Sequence, residues 1–108
     1  MKKVKKRKSI MHGRDGTCYM CMKIHDDFSY HRVLHEHHVF GGVANRPLSE
    51  KYGLKVYLCL DHHETGPEAV HFNPDPGFRR WLQAEGQKAF ERTYPELDFL
   101  EIFGKNYI

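Results

Sequence analysis

Three cysteines and one histidine constrain the fold of this 108-residue chain more than any other feature. Cys18 and Cys21 are separated by two residues, and Cys59 stands at the same spacing from His62. Two such pairs make a closed tetrahedral set of the kind that holds structural zinc. His63 follows directly, so the fourth ligand is either His62 or His63. The set uses every cysteine in the chain, and it would tie residue 18 to residue 62.

A structural metal suits the length and composition of the chain. At 108 residues it makes one small domain, near the size at which a hydrophobic core alone is only marginally sufficient. A redox role for the Cys-x-x-Cys pair needs a βαβ context, which the sequence lacks. No apolar run approaches the length of a membrane span, and the N-terminus lacks the apolar segment of a signal peptide. We therefore expect an intracellular protein without membrane association, whose cysteines bind metal.

The positive charge of the chain is concentrated at its N-terminus. Residues 1–8 carry six cations and no acid, namely Lys2, Lys3, Lys5, Lys6, Arg7 and Lys8. Without these six, the 17 basic side chains become 11, against 14 acidic ones. We predict a disordered basic arm at residues 1–12 that contacts nucleic-acid phosphates, followed by a single domain at 13–108. The alternative is a tail that only increases solubility.

A histidine cluster lies between the two cysteine pairs. The segment 31–40 alternates as a strand would, and it contains His35, His37 and His38. Because neighbouring side chains on a strand point to opposite faces, one histidine can hold a metal while the next takes a proton from water. The alternative is a solvated, histidine-rich strand. Residues 41–53 have the glycines and proline of a long loop, with a helical turn at 48–52, and 54–58 reads as a second strand.

The remaining segments predict helices. Asp61 can cap a short helix that carries His62 and His63 and ends at Gly66-Pro67. Asp75-Pro76 begins a helix that continues to Thr93. Its apolar stripe consists of Phe78, Trp81, Leu82, Ala89 and Phe90. Pro95 opens a second helix that ends at Gly104, with Leu97, Leu100 and Phe103 facing inward. The predicted class is α+β, with the two C-terminal helices covering a ββα unit.

The order of strand, His-His-Val, loop, strand and Leu-Cys-x-x-His-His resembles the HNH endonucleases, also called ββα-metal or His-Me finger nucleases, in the variety braced by a zinc knuckle. The resemblance covers residues 18–71. It is closest to small phage nucleases associated with recombination, in which a basic arm precedes the HNH core. It implies a metal-dependent DNA endonuclease that hydrolyses phosphodiesters and leaves a 5′-phosphate and a 3′-hydroxyl.

The resemblance also implies roles for individual residues. His37 takes the place of a ligand to the catalytic metal, His38 that of the general base, and His63 that of the metal ligand on the helix. Leu54 occupies the place of the family's middle asparagine. Asn45 is the candidate substitute in the preceding loop, or alternatively a turn residue.

Two more histidines are candidates for the same site, and one knuckle position departs from the family. His71 can complete the metal's protein shell, or alternatively belong to the core, and His35 can support the ligands from behind. His62 stands where many relatives have the second knuckle cysteine.

The cofactors expected are one structural Zn²⁺ and one catalytic divalent ion. The catalytic ion is Mg²⁺ or Mn²⁺, with Zn²⁺ and Ni²⁺ as softer options for imidazole ligands. The expected partner is DNA, with a recombination filament protein as a further candidate, in the cytoplasm of a bacterial or phage-infected cell. The sequence leaves the oligomeric state open.

Other functions fit the sequence less well. A zinc protease motif beginning at His35-Glu36 fails because position 39 is Val39, and the zinc-deaminase pattern is missing. The main alternative is a non-catalytic zinc-knuckle module that binds nucleic acid, which gives His37, His38 and His63 no role.

Overall fold

A computed structural model describes residues 7–108. The elements in chain order are α1 (Tyr19–His25), β1 (His35–His38), α2 (Gly42–Tyr52), β2 (Lys55–Leu58), a π-helical turn (Asp61–Thr65), α3 (Gly77–Thr93) and α4 (Phe99–Phe103). This is a small α+β fold around a two-stranded sheet, as the sequence predicts at that level. Among residues 7–108, no helix combines the length and the apolar character needed to cross a bilayer.

The two strands form an antiparallel pair whose register positions the histidines. His37 is opposite Val56 and His38 is opposite Lys55. Strand β1 covers only four residues, which is shorter than the predicted segment 31–40. One further backbone hydrogen bond, from Val39 N to Leu54 O at 3.0 Å, continues the pairing past the end of β1. The alternation of β1 turns His37 inward, where it is 6% exposed.

The connection between the strands is a helix, which corrects the predicted loop at 41–53. Helix α2 begins after Gly41 and ends at Tyr52, and its C-cap residue Gly53 has a left-handed backbone with φ 72°. The Gly53 N–H lies 3.3 Å from the Glu50 carbonyl in a C-terminal cap. Ser49 is fully buried, and its hydroxyl accepts from Phe40 N and donates to Phe40 O, at 3.0 and 2.8 Å. These bonds fix α2 against the end of β1.

The predicted boundary of the arm is also corrected. Residues 7–12 pack on the fold, because Ile10 N donates to Gly53 O at 2.9 Å and Ser9 Oγ donates to Lys55 O. His12 is buried, and its Nδ1 accepts from Tyr57 N at 3.1 Å. The folded domain therefore begins before residue 13. The arm cations Lys2, Lys3, Lys5 and Lys6 lie outside the described residues.

The C-terminal helices form the core with the strands. From α3, Leu82, Ala89 and Phe90 are buried as predicted, and Gly86 allows close approach, since a Cβ there would lie 2.8 Å from Val39 Cγ1. Helix α4 begins later than predicted, because Asp98 caps it by accepting from Glu101 N. Its inward face therefore carries Phe99 and Phe103, while Leu97 and Leu100 are 38% and 48% exposed. The predicted inward positions of those two leucines are wrong.

Candidate functional site

The first candidate site is a buried cluster of three cysteines and one histidine that could hold a metal ion. Cys18 and Cys21 lie at the start of α1, Cys59 follows β2, and His62 lies on the π-helical turn. His62 Nδ1 is 3.6, 3.3 and 3.5 Å from the sulfurs of Cys18, Cys21 and Cys59. The sulfurs of Cys21 and Cys59 are 3.9 Å apart. Of the two histidines left open by the sequence, His62 is therefore the one in this cluster.

These separations fit a tetrahedral metal site. Two thiolates on one tetrahedral Zn²⁺ lie about 3.8 Å apart, and a thiolate and an imidazole nitrogen about 3.6 Å apart, given the usual bond lengths. Burial alone would raise the pKa of the Cys18 thiol, but its hydrogen bond with His62 lowers that pKa to about 6, whereas burial and the neighbouring Cys18 raise the pKa of Cys21. A bound cation would favour the thiolate form of all three cysteines. A thiolate is the form that binds metal, so the donor set suits a soft divalent ion.

Glu68 supports this cluster, although the sequence analysis did not identify it. Its Oε1 lies 2.9 Å from His62 Nε2, on the side of the ring opposite the sulfurs. The same oxygen lies 2.6 Å from His25 Nε2. The hydrogen bonds from His62 and His25 lower the pKa of Glu68, so the carboxylate is ionised and accepts from both rings. Carboxylates placed this way fix the orientation of a metal-binding imidazole.

The second candidate site is a cluster of three imidazoles. The ring centroids of His37, His63 and His71 lie 5.4 Å (37 to 63), 4.9 Å (37 to 71) and 4.8 Å (63 to 71) apart. One nitrogen from each ring lies within 4.8 Å of the others. Two backbone hydrogen bonds cause this approach, since Val70 N donates to His62 O and His71 N donates to His63 O. All three histidines were candidate metal ligands from the sequence, and the fold brings them together.

The electrostatics of this cluster favour the neutral rings of His37 and His63. Burial, followed by repulsion from His71, His63 and His38, lowers the pKa of His37 to about 3. Burial, followed by repulsion from His71 and His35, also lowers the pKa of His63. His35 Nδ1 lies 2.8 Å from His63 Nδ1, and in the tautomer in which His63 donates this hydrogen bond, His63 Nε2 keeps its lone pair for a metal. Neutral imidazoles offer lone pairs, and this donor set fits a divalent metal.

His38 lies on the other face of β1, beside a carboxylate. Its Nε2 is 2.9 Å from Glu50 Oε1, and Glu50 Oε2 accepts from Lys55 Nζ at 2.9 Å. Burial would raise the pKa of Glu50, but hydrogen bonds from His38 and Lys55 lower it to about 2. Lys55 is itself 1% exposed and lies 3.4 Å from Glu36. Neither Glu50 nor Lys55 was identified from the sequence.

The three-imidazole cluster and His38 open into one cleft of about 340 Å³. Its lining residues are Glu36, His37, His38, Gly41, Gly42, Arg46, His63 and His71. Arg46 is exposed, and among the described residues its guanidinium has no carboxylate partner within 4.0 Å. Asn45 is half-buried on α2 and does not line the cleft. The neighbouring Arg46 is therefore better placed than Asn45 to meet a ligand there.

The first described residue of the basic arm, Arg7, contacts Glu50, the carboxylate that pairs with His38. Arg7 N donates to Glu50 Oε2 at 2.9 Å, and Arg7 Nη2 donates to Tyr94 Oη at 3.2 Å. Arg7 and Lys8 are both exposed. The arm thus joins the fold next to His38, although the lysines at 2, 3, 5 and 6 lie outside the described residues.

Comparison of the chain with protein-family models, with curated proteins and with solved structures finds no match in any of the three.

Proposed function

We propose that this chain is a metal-dependent DNA endonuclease of the HNH type, braced by one structural Zn²⁺. Cys18, Cys21, Cys59 and His62 would hold the zinc. His37, His63 and His71 would hold a second divalent ion, Mg²⁺ or Mn²⁺ or a softer ion such as Zn²⁺ or Ni²⁺.

One observation carries the proposal. His37 and His38 are neighbours on β1, yet one lies in a three-imidazole cluster and the other is hydrogen-bonded to a carboxylate, while both line the same cleft. That is the arrangement needed for a metal and a base to act on one phosphodiester. When bound, the metal would neutralise the scissile phosphate and stabilise the departing oxygen.

The tautomer of His38 follows from Glu50. Because the pKa of Glu50 is about 2, its carboxylate is ionised at neutral pH and can only accept a hydrogen bond. His38 Nε2 therefore carries the hydrogen, and in the neutral ring Nδ1 keeps its lone pair. In the proposed reaction, Nδ1 takes a proton from water, and Glu50 stabilises the resulting imidazolium.

In the proposed hydrolysis, one bond to phosphorus forms and one breaks. The water oxygen forms the new bond to phosphorus, and the bond from phosphorus to the 3′-oxygen breaks. The 3′-oxygen takes a proton from solvent, and His38 returns its proton to solvent. Arg46, exposed in the cleft wall, supplies a positive charge for the phosphate oxygens.

Nicking of supercoiled plasmid, with and without EDTA, tests the proposal. We expect cleavage with Mg²⁺ or Mn²⁺, none with excess EDTA, and a loss of about 100- to 10,000-fold in His38→Ala. His31→Ala is the matched control, because His31 does not line the cleft. If the wild type cleaves no form of DNA with any of the four divalent ions, the non-catalytic nucleic-acid-binding module becomes the better account.

A further inference from the structure

Phe72 is an unusual residue beside the histidine cluster. It follows His71 directly, and its side chain is 88% exposed. Its backbone is left-handed, with φ 58°, a conformation that bulky residues rarely adopt and that glycine or asparagine would adopt more readily. Neither core packing nor backbone preference accounts for a phenyl ring at this position.

The segment that carries Phe72 is fixed on both sides. On one side, His71 N donates to His63 O at 3.0 Å. On the other, the Asn73 side-chain amide donates to Pro67 O at 2.9 Å and to Ala69 O at 3.0 Å. The Phe72 ring centroid lies 5.9 Å from that of His71. The fold therefore presents an apolar ring to solvent at a set distance from a candidate metal ligand.

We propose, on the basis of the nuclease function above, that Phe72 stacks on an unpaired nucleobase next to the phosphate held in the cleft. The substrate is then single-stranded or locally unpaired DNA. A phenyl ring has no group that could hydrogen-bond to base edges or phosphates, whereas it stacks well on the face of a base. In an intact duplex those faces are already covered by neighbouring bases, so only an unpaired base offers one.

Exposed cations on the cleft and on the described end of the basic arm fit this ligand. The exposed Arg46 lines the cleft. Arg7 and Lys8, in the described part of the basic arm, are also exposed, and Arg7 contacts Glu50, the partner of His38. A phosphate chain with exposed bases needs cations for its backbone and an aromatic surface for a base, and these residues offer both.

Fluorescence anisotropy tests the inference without relying on cleavage. The probes are a labelled 12-nucleotide single strand and a duplex of the same sequence, at one fixed salt concentration and without added divalent ions. The variants are Phe72→Ala, Phe72→Leu and Phe72→Trp. Phe28→Ala is the matched control, since Phe28 is also exposed, at 60%, but its ring, unlike that of Phe72, contacts none of the described histidine rings.

We expect Phe72→Ala and Phe72→Leu to weaken single-strand binding by about 5- to 150-fold, while Phe72→Trp retains it. Duplex binding, the thermal unfolding midpoint and the Phe28→Ala affinity should stay unchanged. The inference is overturned if Phe72→Ala binds the single strand as tightly as wild type, or loses single-strand and duplex affinity equally, as it would if Phe72 contacted a protein partner or supported the fold. Should wild type still cleave DNA in that case, the proposed nuclease function survives. Should wild type bind neither probe, both proposals fail.

Discussion

Along β1, the two faces of the strand give adjacent histidines different surroundings. His37 is 6% exposed, and burial among other imidazoles lowers its pKa to about 3. His38 faces Glu50 and Lys55 instead. The strand alternation thus separates the proposed metal ligand from the proposed base within one dipeptide, and the carboxylate partner makes the assignment of His38 testable.

Replacing Glu50 by glutamine should lower the cleavage rate constant kcat by about 10- to 100-fold, less than the loss expected for His38→Ala, with little change in KM. The reason is that glutamine cannot stabilise the imidazolium form of His38. Steady-state kinetics measure the effect, with Glu91→Gln as a control outside the cleft. Because Glu50 also pairs with Lys55, the substitution can reduce stability. Thermal unfolding is therefore measured in parallel, and cleavage rates are compared at a temperature below the unfolding midpoint of the variant. An unchanged kcat would contradict the role assigned to Glu50.

The residues that the sequence analysis predicted and those it missed differ in one physical respect. Cys18, Cys21, Cys59 and His62 follow a spacing that metal geometry requires, so the pattern is visible in the sequence. Glu68 and Glu50 act through contacts that have no fixed spacing from their histidines. Such supporting carboxylates can be recognised only after the fold places them.

At the scale of elements, α2 shows why glycine and proline led to the wrong prediction of a loop between the strands. Gly41, Gly42 and Pro47 suggested a loop, and Pro47 lies inside the helix. A proline in a helix leaves the carbonyl four residues earlier without its partner, and that carbonyl belongs to Val43. Val43 is 99% exposed, so water can satisfy the carbonyl. Tertiary contacts such as those of Ser49 then decide the structure of the segment.

We expect Ser49→Ala to reduce the free energy of unfolding by about 1–3 kcal/mol, because the buried N–H and C=O of Phe40 would lose their partner. Urea denaturation measures the loss. Ser29→Ala is the control, since Ser29 is exposed and bonds only to the neighbouring Asp27, so its effect should stay within about 0.5 kcal/mol. Equal stabilities of the two variants would contradict the link between α2 and β1.

At the scale of the whole molecule, the Cys₃His cluster brings α1 next to the end of β2, and we expect a metal bound there to stabilise the fold. We expect the purified protein to carry one tightly held zinc per chain, and Cys59→Ser to lose it and to unfold or aggregate. Elemental analysis and circular dichroism measure both effects. His63→Ala is the control, because His63 lies outside the cluster and the variant should keep this zinc. A folded, soluble Cys59→Ser protein with unchanged zinc content would exclude the structural site.

The basic arm should affect binding rather than folding. Deleting residues 1–6 removes Lys2, Lys3, Lys5 and Lys6 but keeps Arg7, which contacts Glu50 and Tyr94. DNA affinity should fall, and the slope of log K against log salt should decrease by about 0.9 for each lost phosphate contact. Anisotropy titrations at several salt concentrations measure the slope, and the unfolding midpoint should stay constant. An identical slope in the truncated protein would show that these lysines do not contact DNA.

The central claim is that His37 and His63 hold a metal while His38 acts as a base, and a Mn²⁺ titration of plasmid nicking tests it most directly. His37→Ala and His63→Ala should lose cleavage at low Mn²⁺ and recover part of it at high Mn²⁺, because their defect is weakened metal binding. His38→Ala should remain about 100- to 10,000-fold slower than wild type at every Mn²⁺ concentration, because added metal cannot replace a proton acceptor. Rescue of His38→Ala by Mn²⁺, or nicking by this variant at the wild-type rate, would contradict the account.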